Sequence, residues 1–236
     1  MNPAEKMTQV SGPEGDVELN EEAAKIKLVE ELDKPLVTGQ VPKIITCKSE
    51  TTESMKEKES NFSFYKILEP KMANAKILEL FCGTNTAKRY MAKNDIPGEM
   101  VGVDIQSEDA DIITDVAKLP EKLQPEKQFD MVTSIGAHPG FEKFSDDAAY
   151  LKDDGLYIHG MTEDWLEDDL KKNILAWANG VPDEIDDPDV AEAAKYFQIA
   201  TILKLNDTRK MIDRDDDEMS EVDGNEYYFI CKKKSQ

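Results

Sequence analysis

The stretch Ala75-Lys76-Ile77-Leu78-Glu79-Leu80-Phe81-Cys82-Gly83-Thr84-Asn85-Thr86-Ala87 constrains the chain more than any other. An apolar run closes on an acid, turns at Gly83 and enters a helix-like Lys88-Arg89-Tyr90-Met91. That pattern predicts a buried strand, a tight turn and a helix start. In an open α/β sheet, ligands bind in the crevice at the carboxyl end of such a strand. The backbone N–H groups of Thr84 to Thr86 are expected to be free at the helix start, suited to an anionic group.

The rest of the chain repeats this alternation. Gly98 to Asp104 and Ala110 to Asp115 are two further runs that end in an acid. Phe129 to Ser134 and Gly155 to His159 read as the fourth and fifth strands. Helices are predicted from Phe62 to near Pro70, from Thr86 to Lys93, from Asp146 to Leu151, and from a Thr162 cap to Ala178. Leu119 to Leu123 reads as a short crossover, and Pro188 takes a first helical position before Ala191 to Lys195. Phe197 to Leu205 and Tyr227 to Cys231 are the last strands, with Asp213 to Glu221 as an acidic loop between them. Alternating strands and helices require a mostly parallel sheet covered on both faces, and the last two strands pair antiparallel at one edge. Ahead of this lies an acidic extension, residues 1–60, expected to be disordered over about its first 20 residues. Within it, Asn20 caps a predicted helix over Glu21 to Leu32, and Val41 to Cys47 is a short possible strand. Ser49 to Ser60 reads as a linker, so the main domain is placed at 61–236.

On these residues the chain resembles the class I S-adenosylmethionine-dependent methyltransferases over roughly residues 62–232. Glu79-Leu80-Phe81-Cys82-Gly83-Thr84-Asn85 is similar to the family's first motif, with Phe81 and Asn85 where that motif has glycines. Asp104 matches the acid at the end of the second strand. Asp115-Val116-Ala117-Lys118-Leu119-Pro120 and Phe129-Asp130-Met131-Val132 resemble the third and fourth motifs. The resemblance implies a Rossmann-like, doubly wound, mostly parallel seven-stranded sheet with an antiparallel C-terminal pair, and S-adenosylmethionine as cofactor. It implies a cofactor site of Glu79, Phe81, Gly83, Asn85, Asp104, Ile105, Asp115, Val116 and Ser134. The chemistry suits these types: a carboxylate at Asp104 accepts from ribose hydroxyls, and Asp115 accepts from an adenine amine. Gly83 lets backbone approach the methionine moiety, and Glu79 holds its ammonium group directly or through water. Singly, each acid could instead just cap a following helix.

Methyl transfer is an in-line displacement in which positioning supplies much of the rate, and a base is needed only where the nucleophile must lose a proton. The two histidines, His138 and His159, both follow predicted strands and are the candidate catalytic groups; the plainer reading makes His138 part of a turn and His159 a strand end. Trp165 and Trp177 at helical spacing read as core. A formal net charge of −21 repels phosphate backbones and anionic membrane surfaces, and the fourth strand is followed by Ser134-Ile135-Gly136-Ala137-His138-Pro139, not by the Asn-Pro-Pro-Tyr-like run of amino-methylating DNA enzymes. The expected substrate is therefore a small molecule or a protein, with nucleic acid and membrane disfavoured. Cys47, Cys82 and Cys231 are isolated, and no stretch approaches transmembrane length or resembles a leader, so the expected setting is the cytoplasm. No metal site is expected, since the run Asp213-Arg214-Asp215-Asp216-Asp217-Glu218 lacks the order of a calcium loop. Two alternatives stay open. One is an inactive methyltransferase-like scaffold that binds partners. The other is a nicotinamide-dependent oxidoreductase, whose fingerprint places an acid about 20 residues after the glycines, though two of its three glycines are missing here.

Overall fold

The structure is a computed structural model. It describes residues 18–37, 40–48, 61–135, 143–163, 166, 168–212 and 219–234, with the side chains of 61–62 and 207–224 left out. The expectations for residues 1–17, the linker over 49–60, His138, Trp165 and the run 213–218 lie outside the described residues.

The elements follow in chain order. They are α1 (Glu21–Leu32), β1 (Lys43–Lys48), α2 (Asn61–Met72), β2 (Ala75–Leu80), α3 (Thr86–Lys93), β3 (Gly98–Asp104), β4 (Ile112–Ile113), a 3-10 turn (Val116–Glu121), β5 (Phe129–Ile135), α4 (Phe144–Tyr150), β6 (Leu151–Thr162), α5 (Asp168–Ala178), α6 (Pro188–Tyr196), β7 (Phe197–Ile212) and β8 (Met219–Lys233). They build one eight-stranded sheet in the order β1-β7-β8-β6-β5-β2-β3-β4. Neighbours are parallel except for the two pairs made by β8. From β2 the chain winds outward through β3 to β4, then returns to β5 on the other side of β2. This reversal between β2 and β5 is the switch point where an open α/β sheet leaves a crevice.

Both faces are covered, which is why β2 is apolar along nearly its whole length. Leu78 and Leu80 face a core closed by the 3-10 turn, α4, α5 and α6. Ile77 faces a second core closed by α1, α2 and α3. There the Phe64 ring stacks on Tyr228 with centroids 3.9 Å apart.

The expected class of sheet is present, with one more strand than the expected seven. The extra strand is β1, parallel to β7 from Lys43↔Thr201 to Lys48↔Asn206. The C-terminal pair is therefore not at an edge: β8 is inserted between β6 and β7, and β1 covers the outer side of β7. Residues on both sides of position 60 share the second core, Ala24 and Leu28 from α1 with Phe64 and Leu68 from α2. In α1, Asn20 accepts from the Ala23 N–H as its cap, and Ala24 and Leu28 are fully buried in the second core. Glu31, held below the usual carboxylate range by Lys34 and Lys43 against the cost of burial, ties α1 to the start of β1.

Other differences have local causes. Helix α2 runs two residues past Pro70, because the missing N–H falls in the last turn on an exposed face. The third strand shrinks to Ile112–Ile113. Just before it, the Asp111 carboxylate takes the Gly102 N–H at 2.9 Å, where a longer strand would have placed a carbonyl. Strand β6 continues through Thr162, clamped between β5 and β8, so Thr162 pairs with Glu226 and α5 starts only at Asp168. Residues 219–221 belong to β8 rather than to the acidic loop. Trp177 is partly buried against the core, its Nε1 donating to the Phe197 carbonyl at 3.2 Å. Among the described residues no helix is long and apolar enough to cross a membrane.

Because α1 completes the second core, Leu28→Ala should cost about 2–5 kcal/mol in urea unfolding. A loss below about 0.5 kcal/mol would show that α1 is a detachable appendage.

Candidate functional site

The turn after β2 departs from ordinary backbone geometry. Phe81, Gly83 and Asn85 all have positive φ, at 55°, 51° and 56°. For Phe81 the left-handed region costs roughly 1–2 kcal/mol, while Asn tolerates it better than most residues. Such strain persists only where the surroundings over-determine it, and it clusters at functional sites. The two side chains that stand where the first motif has glycines thus keep a glycine's conformation. A Cβ built on Gly83 meets no atom within 4 Å, so the space over this residue is open.

Asp104 at the end of β3 fixes the turn. Its Oδ2 accepts the Gly83 N–H at 3.0 Å, and its Oδ1 accepts the Gln106 and Ser107 N–H groups, each at 3.0 Å. Partial burial alone would raise its pKa, but these donors hold the carboxyl below the usual aspartate range. A carboxylate has roughly four acceptor positions, and the Ile105 N–H also favours this one's ionised form. The Ser107 hydroxyl donates back to the Gly83 carbonyl. Asn85 packs its amide over Gly102, where a Cβ would collide with it, and donates to the Asp109 carbonyl at 2.5 Å. Of the three N–H groups expected to be free, that of Asn85 is bound to the Cys82 carbonyl at 2.8 Å.

Glu79 lies one residue before the end of β2, 3 % exposed. Oε1 accepts from the Tyr65 hydroxyl of α2 at 2.9 Å, and Oε2 has no hydrogen-bond partner. Burial pushes its pKa up to about 7, against the opposing Tyr65 hydrogen bond. Its neighbours in register are Gly102 and Thr133, and the Thr133 hydroxyl and Asn85 Oδ1 also lack partners. Three orphaned polar atoms therefore lie together across β3, β2 and β5. Buried polar atoms without partners are rare in native proteins and call for an explanation.

The remaining expected residues are less concentrated. Asp115 caps the 3-10 turn, its Oδ1 accepting from Ala117 N at 3.0 Å, and Val116 is buried behind it. Ile105 is exposed. Ser134 and His159 are in register with Leu80, so they face the sheet side opposite Glu79. His159 was expected at a strand end but sits three residues inside β6, 4 % exposed, with Nδ1 at 3.3 Å from the Tyr157 hydroxyl. Sequence reasoning missed Tyr65, Ser107 and Thr133. Tyr65 is 14 positions from Glu79, in an aromatic run that reads simply as packing. Among the described residues no group of three or more His, Cys, Asp or Glu is placed to hold a metal ion.

No protein-family model matches this chain, and no curated protein matches it. Solved structures do. One is the phosphoethanolamine N-methyltransferase 2 of Haemonchus contortus in complex with S-adenosyl-L-methionine, 15% identical over 75% of this chain, with a TM-score of 0.42. The chain spans about half of that enzyme, 53%. Another is a Pyrococcus horikoshii protein, 20% identical over 77% of this chain and 94% of its own, with a TM-score of 0.43. A third is the 16S rRNA (adenine(1408)-N(1))-methyltransferase of Catenulisporales acidiphilia, 10% identical over 71% and 91%, with a TM-score of 0.43.

Asp104→Ala should destabilise the empty protein by about 2 kcal/mol near neutral pH, because three N–H groups lose a charged acceptor. The native carboxyl titrates lower than the unfolded one, so this contribution is present above the ordinary aspartate range and lost as pH falls through the native value. Denaturant melts of both proteins from neutral to acid pH should converge. A constant gap would mean the ionised form is not what holds the turn.

Proposed function

We propose that the chain is an S-adenosylmethionine-dependent methyltransferase of class I type. The observation that carries this is the turn at the switch point. An open Gly83, strained Phe81 and Asn85, the acceptor Asp104 and the orphaned Glu79 oxygen converge at the carboxyl ends of β2 and β3. These residues fit the cofactor's chemistry. The unpartnered Glu79 Oε2 suits an ammonium donor, the ionised Asp104 carboxylate suits a ribose hydroxyl, and the space over Gly83 is open. On the motif resemblance, Asp115 and Val116 take the adenine edge and Ile105 lines the same site, with Ser134 on the sheet side opposite Glu79.

When bound, S-adenosylmethionine supplies a methyl group on a sulfonium, a good leaving group. The chain's own task is then to bind, orient and exclude water. Where the nucleophile carries a proton, its removal is assigned to one of His138 and His159, on their positions after β5 and within β6. The net charge of −21 favours a small-molecule or protein substrate over nucleic acid. Three cysteines, all free and buried, suit a reducing compartment, and the proposed setting is the cytoplasm. The same site without turnover would make the domain a binding scaffold. That reading has its own support, since Asp115 is engaged in capping a helical turn and His159 is packed inside the sheet.

Calorimetry with S-adenosylmethionine, S-adenosylhomocysteine, NAD and NADP tests the reading. The first two alone should bind, and Asp104→Ala should weaken S-adenosylhomocysteine by roughly 2 kcal/mol, about 30-fold. Binding of the nicotinamide cofactors instead would make the domain an oxidoreductase. Ring signals of His159 in NMR should shift on saturation with S-adenosylhomocysteine; unmoved signals would make it structural.

A further inference from the structure

We propose that cofactor binding at this turn expels a proton from the buried Glu79–Tyr65 pair. The inference rests on the cofactor reading above and adds to it a dependence on pH built into the empty fold. It starts from what surrounds Glu79. From α2, the Tyr65 hydroxyl gives the carboxyl its hydrogen bond. From α3, the Tyr90 ring lies against Tyr65 with centroids 5.8 Å apart. From the turn comes Cys82, whose thiol burial pushes up to about 12 and which is therefore neutral. From β5 comes the Thr133 hydroxyl, and from β3 the backbone of Gly102 with Asn85 packed over it. Among the described residues no Lys, Arg or His pairs with Glu79.

A carboxylate so enclosed, with one neutral donor and one bare oxygen, is costly, and the group lowers the cost by keeping its proton. Burial accordingly sets its pKa at about 7. An ammonium group arriving at Oε2 reverses the balance, since an opposite charge within about 4–6 Å favours the ionised form. The ammonium brings its own three hydrogens, so it takes no proton from Glu79. The carboxyl proton leaves to solvent, and a carboxylate–ammonium pair remains. Tyr65 is a positioning residue here: its hydroxyl fixes Oε1 and leaves Oε2 as the acceptor.

The test is calorimetry of S-adenosylhomocysteine in phosphate and in imidazole, whose ionisation enthalpies differ, at pH 6, 7 and 8. Proton release should be largest at pH 6 and fall through pH 7 toward none as the pH rises further. Glu79→Gln should bind more weakly and release no proton at any pH. Tyr65→Phe removes a bond that favours the ionised form, so its release should persist to higher pH. Binding heats independent of buffer at pH 6 would overturn the proposal while leaving the cofactor reading intact. No binding at any pH would overturn both. A second measurement needs no ligand. The native carboxyl binds a proton that the unfolded chain gives up near its ordinary pKa, so this group's contribution to stability falls as pH rises toward and through the native value. Glu79→Gln should therefore melt higher than the parent at pH 8, with the gap closing by pH 5. A gap that does not change with pH would also overturn the proposal.

Discussion

One carboxylate, Asp104, holds together two loops that would otherwise part. The turn after β2 places two non-glycine residues in the left-handed region, a conformation with no local reason to persist. What maintains it arrives from the loop after β3: Asp104 on the Gly83 N–H, the Ser107 hydroxyl on the Gly83 carbonyl, and the Asp109 carbonyl on the Asn85 amide. Each loop supplies what the other lacks, so neither is expected to keep its shape alone. The same latch explains the stub of a strand that follows. Asp111 binds the Gly102 N–H with its side chain and Lys88 of α3 with its other oxygen, and only two residues remain to pair with β3.

Glu79 shows the opposite economy. Local patterning, packing and charge agree along β2 except at this residue, where an acid replaces an apolar side chain in a strand buried on both faces. Real proteins break such agreement at functional sites and are held together elsewhere. Here the compensation is a well-filled core around the breach, with Tyr65, Phe64 and Tyr228 packed on the same face.

Much of this was legible from local signals. The Asn20 cap and the limits of α3 and of β3 depend on neighbours a few positions away, and they lie where the sequence puts them. Glu79 and Asp104 lie near the carboxyl ends of neighbouring parallel strands, Glu79 in register with Gly102. What escaped was set by distant partners. Strand β6 outruns its pattern because β8 clamps it, α5 starts late for the same reason, and the short strand expected over Val41 to Cys47 was assigned to the extension and not to the sheet because its partner β7 lies far along the chain. His159 was misjudged through the same error, since a strand that continues three residues further carries its histidine into the sheet.

The place of β1 also bears on how the chain acquires its fold during synthesis. The Thr201 hydroxyl and the Lys43 carbonyl it binds are 158 positions apart. At about 5–20 residues per second, β1 leaves the ribosome roughly 8–30 seconds before its partner strand exists. For that interval its apolar side chains and α1 have only the growing second core to rest on. β1 thus waits for β7 before it can pair, and it then covers Thr201 to Asn206 of that strand and becomes the outer edge itself. The interval before that pairing is the period in which the nascent protein is most open to misassembly.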